Sequence, residues 1–166
     1  MNEQDAIEQA RAYFLTDDHL FGCSETMVIV LQEAYELSNP ADSSAAMALN
    51  GGVAWSGGPC GAVTGAAMAV GRLAAQRIGD HKEAKRAARC IISRLMADFC
   101  AQYGHVNCRQ LIGLDISTEA GHTAFIEGKL WYTICMGQIE FVLHRLVALR
   151  DERVWMETLH QLETSE

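Results

Sequence analysis

Residues 57–71 read Gly-Gly-Pro-Cys-Gly-Ala-Val-Thr-Gly-Ala-Ala-Met-Ala-Val-Gly, and they constrain the rest of the chain more than any other stretch. A glycine and proline loop delivers one cysteine and then turns into a helix of small residues. Proline is tolerated at or just before a helix start, where the first amides have no intrahelical partner. Cys60 is therefore placed at a helix N-terminus, with unpaired amides and the positive end of the helix dipole facing its sulfur. Such surroundings favour the thiolate, which is both the nucleophile and the metal ligand. Gly61, Gly65 and Ala69 recur at four-residue steps, beside Ala62, Ala66 and Val70. Glycine costs a helix about 1 kcal/mol relative to alanine, so two on one face predict the close approach of a second backbone. The alternative for Cys60 is a small apolar residue buried under that crossing.

The remaining apolar periodicity is helical. Residues 5–16 place Ala6, Ile7, Ala10, Tyr13 and Phe14 on one face, and residues 24–37 follow with Ser24 or Cys23 at the N-cap. Residues 38–58 carry turn signals at Asn39-Pro40 and Asn50-Gly51-Gly52, with a short helical turn within 45–49. The small-residue helix spans about 59–78, ended by Gly79, and a fourth helix spans 82–103, ended by Gly104. Asn107 caps a short helix that Gly113 stops. Residues 118–126 form another short helix, 129–150 a long one, and 152–162 the last, with a fraying tail over 163–166. No strand pattern and no internal repeat occurs. The expected fold is all-α, a single-domain bundle of five to seven helices over residues 1–166, with the small-residue helix at its centre.

The formal net charge is −8. Nucleic-acid binding needs clustered Lys and Arg, and the one basic run, 82–89, fits a solvated helix face. No apolar run reaches the ~18 residues of a membrane span. The polar, acidic N-terminus is unlike a signal peptide, so the expected location is the cytoplasm. The glycine-rich loop lacks both the Gly-Lys-Ser/Thr ending and the preceding strand of a phosphate-binding loop.

Six cysteines are present, at 23, 60, 90, 100, 108 and 135. In a reducing cytosol such a set points to metal or redox chemistry more than to structural disulfides. No Cys-x-x-Cys pair exists, so any joint site is assembled by the fold from distant positions. Cys23, Cys60 and Cys108 all fall at helix starts. Cys135 lies within a long helix face with Trp131, Ile134, Gln138, Ile139, Val142 and Leu146. Cys90 sits among aliphatic residues, where a buried inert thiol is the expectation, and Cys100 is ambiguous. Arg109, beside Cys108, would stabilise a thiolate or pair with a surface carboxylate. His105 reads as a loop residue; His19, His81, His122, His144 and His160 have the polar neighbours of surface histidines. No arrangement of nucleophile and general base stands out, so the sequence does not say whether the chain is an enzyme.

The order Cys23, Gly-Pro-Cys60-Gly-Ala-Val-Thr-Gly, Tyr-Gly-His-Val-Asn-Cys108-Arg-Gln-Leu-Ile-Gly, then Cys135 resembles the redox-active proteins named for the pattern C_GCAxxG_C_C. The same segment, about 21–142, is similar to the non-haem part of split-Soret cytochromes c. The resemblance implies an all-helical domain that gathers Cys23, Cys60, Cys108 and Cys135 on an iron–sulfur cluster. Cys90 and Cys100 are outside the pattern. The haem-attachment segment is missing, so haem is not implied. Four thiolates are the usual shell for [2Fe–2S] and [4Fe–4S] clusters and also for structural zinc, though zinc sites favour closely spaced cysteine pairs. Two alternatives stand beside electron transfer on a cluster: thiol–disulfide exchange without metal, and a helical binding or scaffold protein with incidental thiols. The expected partners are an unidentified redox protein and a second copy of the chain. The homodimer rests on Trp131, Trp155 and Leu159 as surplus apolar surface and on the dimeric habit of the related cytochromes.

Overall fold

Helix α3 (Gly61–Arg77) is the axis on which the other helices are stacked. The computed structural model describes residues 1–164; the side chain of Leu162 and the end of the tail expected to fray lie outside the described residues. Helix α1 (Glu3–Phe14) is opened by a capping box, in which Asn2 Oδ1 accepts from Asp5 N and Asp5 accepts from Asn2 N. Helix α2 (Cys23–Ala34) is buried along almost its whole length. A 3-10 turn (Ser44–Leu49) follows, then α3, then the long α4 (His81–Tyr103), which Asp80 caps through Glu83 N. Helices α5 (Cys108–Ile112) and α6 (Glu119–Glu127) are short. A π turn (Trp131–Cys135) leads into α7 (Met136–Leu146), a 3-10 turn (Val147–Arg150) and α8 (Glu152–Glu163).

The described residues therefore form eight α-helices, above the five to seven expected. The difference lies in short pieces such as the five-residue α5, which a count of core-spanning helices omits. No strand occurs among the described residues; a single antiparallel bridge joins Pro59 and Asn107. No described helix is long and apolar enough to cross a membrane.

The small residues of α3 act as expected. A methyl group on Gly65 would collide with the Ser24 carbonyl oxygen and come within 3.0 Å of Met27 Cβ. On Gly61 it would collide with Cys23 Sγ and sit 3.0 Å from Ser24 N. The two glycines thus set α2 directly against α3 at the end where both helices carry a cysteine. Ala62, Ala66, Ala69 and Val70 are fully enclosed beside them. Gly71 differs: a methyl group added there would meet nothing within 4 Å, so its face is open.

A contiguous apolar core runs from Ala6 and Ile7 in α1 through α2, α3 and α4 to Trp155 in α8. Tyr35 Oη donates to Leu146 O at 3.0 Å and ties the end of α2 to the end of α7. Trp155 is 2% exposed, with the Arg77 guanidinium 5.3 Å from its ring centroid, and Leu159 packs on the core. Of the three residues behind the expected homodimer, Trp155 is buried in the core, and Leu159 and Trp131 are partly buried against it. Cys90 is half-buried on α4, less enclosed than its aliphatic neighbours imply.

Candidate functional site

Three of the four pattern cysteines stand at helix starts. Cys60 is the N-cap of α3, and Cys23 and Cys108 are the first residues of α2 and α5, after Gly22 and Asn107. The segments before α3 and α5 are zipped together: Cys60 N donates to Val106 O at 2.8 Å, Cys108 N to Gly58 O at 2.7 Å and Arg109 N to Gly57 O at 3.1 Å. In an antiparallel pairing of Pro59 with Asn107, Cys60 and Cys108 are diagonal neighbours on one face, about 7–8 Å apart at Cα by general strand geometry. Cys23 reaches the same place through the close crossing of α2 and α3 at Gly61.

Cys135 arrives by a different device. The expected uninterrupted helix over 129–150 is broken in pattern at its start, where Met136 N donates to Trp131 O, five residues back. This π turn ends at Cys135, and such insertions recur at functional sites. Cys135 is therefore at the junction of the π turn and α7, not in the middle of a regular helix face.

The four sulfurs sense one another. Burial is the first cause that pushes the Cys60 thiol up, followed by negative charge on Cys23 and Cys108. Burial pushes Cys108 up to about 11, with Cys23 adding to it. Cys135 is raised well above the ordinary thiol value by burial and then by Cys23, Cys60 and Cys108. Cys23 is raised by burial, against amides of Gly51, Ser24 and Gly61 that favour its thiolate. The helix-start amides are present as the sequence predicts, but burial acts against them and is the larger effect, raising all four thiols above the ordinary value. All six cysteines are free.

Burial of these thiols links stability to pH. A thiol whose folded value exceeds its unfolded value of 9.0 stabilises the fold fully below about pH 9 and loses that contribution as pH rises through about 11. Urea titrations of the reduced, metal-free protein under argon are expected to show a midpoint that falls across this window. A midpoint flat from pH 8 to 11 would contradict the buried-thiol state.

Cys23, Cys108 and Cys135 line a pocket of ≈ 310 Å³. Cys60 is off that wall, 4% exposed, with its Sγ 3.5 Å from Gln138 Oε1. The walls include Phe21, Trp55, Ile116, Phe125 and Trp131. His122 stacks on Trp55 at 4.7 Å and His19 meets Trp131 edge-on at 4.7 Å. His19 is exposed, as the sequence reading has it, and His122 is half-buried; both also line the cysteine pocket. Arg109 does not line it; its guanidinium pairs with Asp115 at 2.8 Å, the surface fate. His105 is exposed in its loop, as expected.

Asn50 is the residue that sequence reasoning passed over as a turn signal. Its Oδ1 accepts from Ser24 N at 3.0 Å and Ser24 Oγ at 2.6 Å, and lies 3.8 Å from Cys23 Sγ. Its Nδ2 donates to Glu25 Oε2 at 2.8 Å and Met47 O at 3.2 Å. Glu25 Oε2 also accepts from Gly22 N at 3.0 Å, so the carboxylate closes the start of α2 instead of facing the thiol unshielded. Beyond Asn50 the chain makes a left-handed turn: φ is positive at every residue from Gly51 to Trp55. Val53, Ala54 and Trp55 carry side chains there, at a cost of about 1–2 kcal/mol each. Strain of this kind gathers at functional sites, and here it sets Trp55 on the pocket wall. Replacing Asn50 with alanine leaves Ser24 N without its side-chain acceptor and Glu25 with Gly22 N alone; a loss of about 2–3 kcal/mol in urea unfolding is expected. A change below about 0.5 kcal/mol would remove Asn50 from this role.

Among the described residues, no three His, Cys, Asp or Glu side chains are placed to hold a metal ion.

Fold and site together define an all-helical protein in which Cys23, Cys108 and Cys135 line an apolar pocket and Cys60 lies buried off its wall. The chain belongs to the family described as "Putative redox-active protein (C_GCAxxG_C_C)", whose model matches residues 21–148. Membership supports a redox role. The match covers the expected segment of 21–142 and extends a few residues beyond it. No curated protein and no solved structure gives a significant match.

Proposed function

We propose that the chain is a redox protein whose working part is the centre of Cys23, Cys60, Cys108 and Cys135, and that these four thiolates hold an iron–sulfur cluster. The observation that carries the reading is placement: Cys23, Cys108 and Cys135 line one pocket, and backbone pairing joins the segments that carry Cys60 and Cys108. Four buried thiolates without a cationic core are unfavourable, and four thiolates are the usual shell of such a core. When bound, the cluster supplies one-electron transfer. The chain's own residues then exclude water, through Ile116, Phe125 and Trp131, and offer helix-start amides to the sulfurs, which lower the cost of negative charge.

A second reading, thiol–disulfide exchange without metal, is favoured by the absence of a metal-ready triad among the described residues. Purification without air, followed by iron, zinc and acid-labile sulfide analysis, separates the two. Stoichiometric iron and sulfide supports the cluster; neither metal nor sulfide supports exchange. Work in the cytoplasm, an unidentified electron partner and a homodimer belong to the same proposal. The homodimer now rests on the resemblance to the cytochromes, and sedimentation at micromolar concentration decides it.

A further inference from the structure

The pocket beside the cysteines carries more than a thiol centre needs. We propose that it binds a small, planar, uncharged aromatic molecule of the quinone type, the electron partner of the centre. The choice of a redox-active ligand rests on the redox reading above; the binding rests on the walls alone.

Size comes first. At ≈ 310 Å³ the pocket is at the lower end of the range for small-molecule sites, about 300–1,000 Å³. One ring or two fused rings suit it, and a dinucleotide does not. The walls select the shape: Phe21, Trp55, Phe125 and Trp131 present aromatic faces and edges, which favour a flat ring. Charge excludes the phosphorylated carriers. No lysine or arginine of the described residues lines the pocket, whereas the Glu25 carboxylate does, and the chain carries −8. A phosphate would meet repulsion and no counter-ion. His19 and His122 provide the polar exception. An imidazole can give or take a hydrogen bond at a carbonyl or hydroxyl oxygen.

The chemistry balances under the metal-free, thiol–disulfide reading of the centre. Two of the pocket-lining thiols lose two electrons and two protons as one S–S bond forms and two S–H bonds break. The two carbonyl oxygens of the quinone take up both electrons and both protons, giving the hydroquinone.

Binding is tested without electron flow by equilibrium dialysis of tetramethylhydroquinone, under argon, against the reduced full chain. Saturable one-to-one binding is expected, weakened at least tenfold by Trp55→Asn and by Phe125→Ala. Trp55 is 48% exposed with φ 62°, and asparagine is at ease in that left-handed conformation, so this variant keeps the fold. Flavin mononucleotide is expected not to bind. Absence of saturable binding, equal binding by both variants, or equally tight flavin mononucleotide overturns the proposal. Iron, sulfide and alkylation of the cysteines, measured on the same samples, report the redox centre separately. Binding with a redox-inert centre overturns the electron-partner role; a working centre without binding overturns the pocket.

Discussion

Serine at any one of positions 23, 60, 108 and 135 is expected to abolish bound iron and visible absorbance in protein prepared without air. Cys90→Ser and Cys100→Ser are expected to keep both. The contrast follows from placement. The first four come from four separate segments; three of them line one pocket, and the fourth, Cys60, lies on the segment paired with that of Cys108. Cys90 and Cys100 lie half-buried along α4. Serine is close in shape to cysteine, so the loss would report lost ligation and not a cavity. Under the exchange reading no variant carries metal, and oxidation makes one pair among the four protect each other from alkylation. Loss at Cys90→Ser with retention at Cys60→Ser would show the site to be misplaced.

The second large effect concerns α3. Gly65→Ala is expected to cost about 2–4 kcal/mol in urea unfolding, in the range of overpacked or strained core positions. The added methyl meets the Ser24 carbonyl of α2, and backbone cannot swing aside as a side chain can. Gly71→Ala, in the same helix, is expected to gain about 0.5–1 kcal/mol, because it meets nothing within 4 Å and only the helix preference remains. Opposite signs for one substitution at two positions six residues apart would establish that the α2–α3 crossing, not propensity, placed the glycine. Equal signs would contradict the close crossing.

Legibility in the sequence divided along a physical line. Local patterns sufficed for the helices: the stops at Gly104 and Gly113 are left-handed as expected, and Thr118 caps α6. They also sufficed for the glycine face of α3, because a helix repeats its contacts every turn. What local pattern could not carry was the environment of the site. Whether Cys60 rests as thiol or thiolate depends on how much water other segments remove. His19 and His122 have polar sequence neighbours, yet the fold turns both to the pocket beside Trp131 and Trp55. Asn50 looks like half of an Asn-Gly turn, and its bonds to Ser24 and Glu25 span some 25 residues. The π turn leaves no trace in a periodicity of 3.6 residues per turn. The resemblance to a known pattern, in contrast, selected four cysteines out of six, which composition alone does not do.

That π turn has a consequence for how the C-terminal helix can change. An α-helix advances by about 100° per residue, so one extra residue in a turn rotates everything before it relative to everything after. Ile139, Val142 and Leu146 keep their faces to the core, while Trp131 is left free to face the pocket. Deleting one residue between 131 and 135 would restore a regular helix, and the loss would fall on the pocket side with the core side intact. The two halves of this helix are thus geared separately, one to hold the fold and one to aim the site.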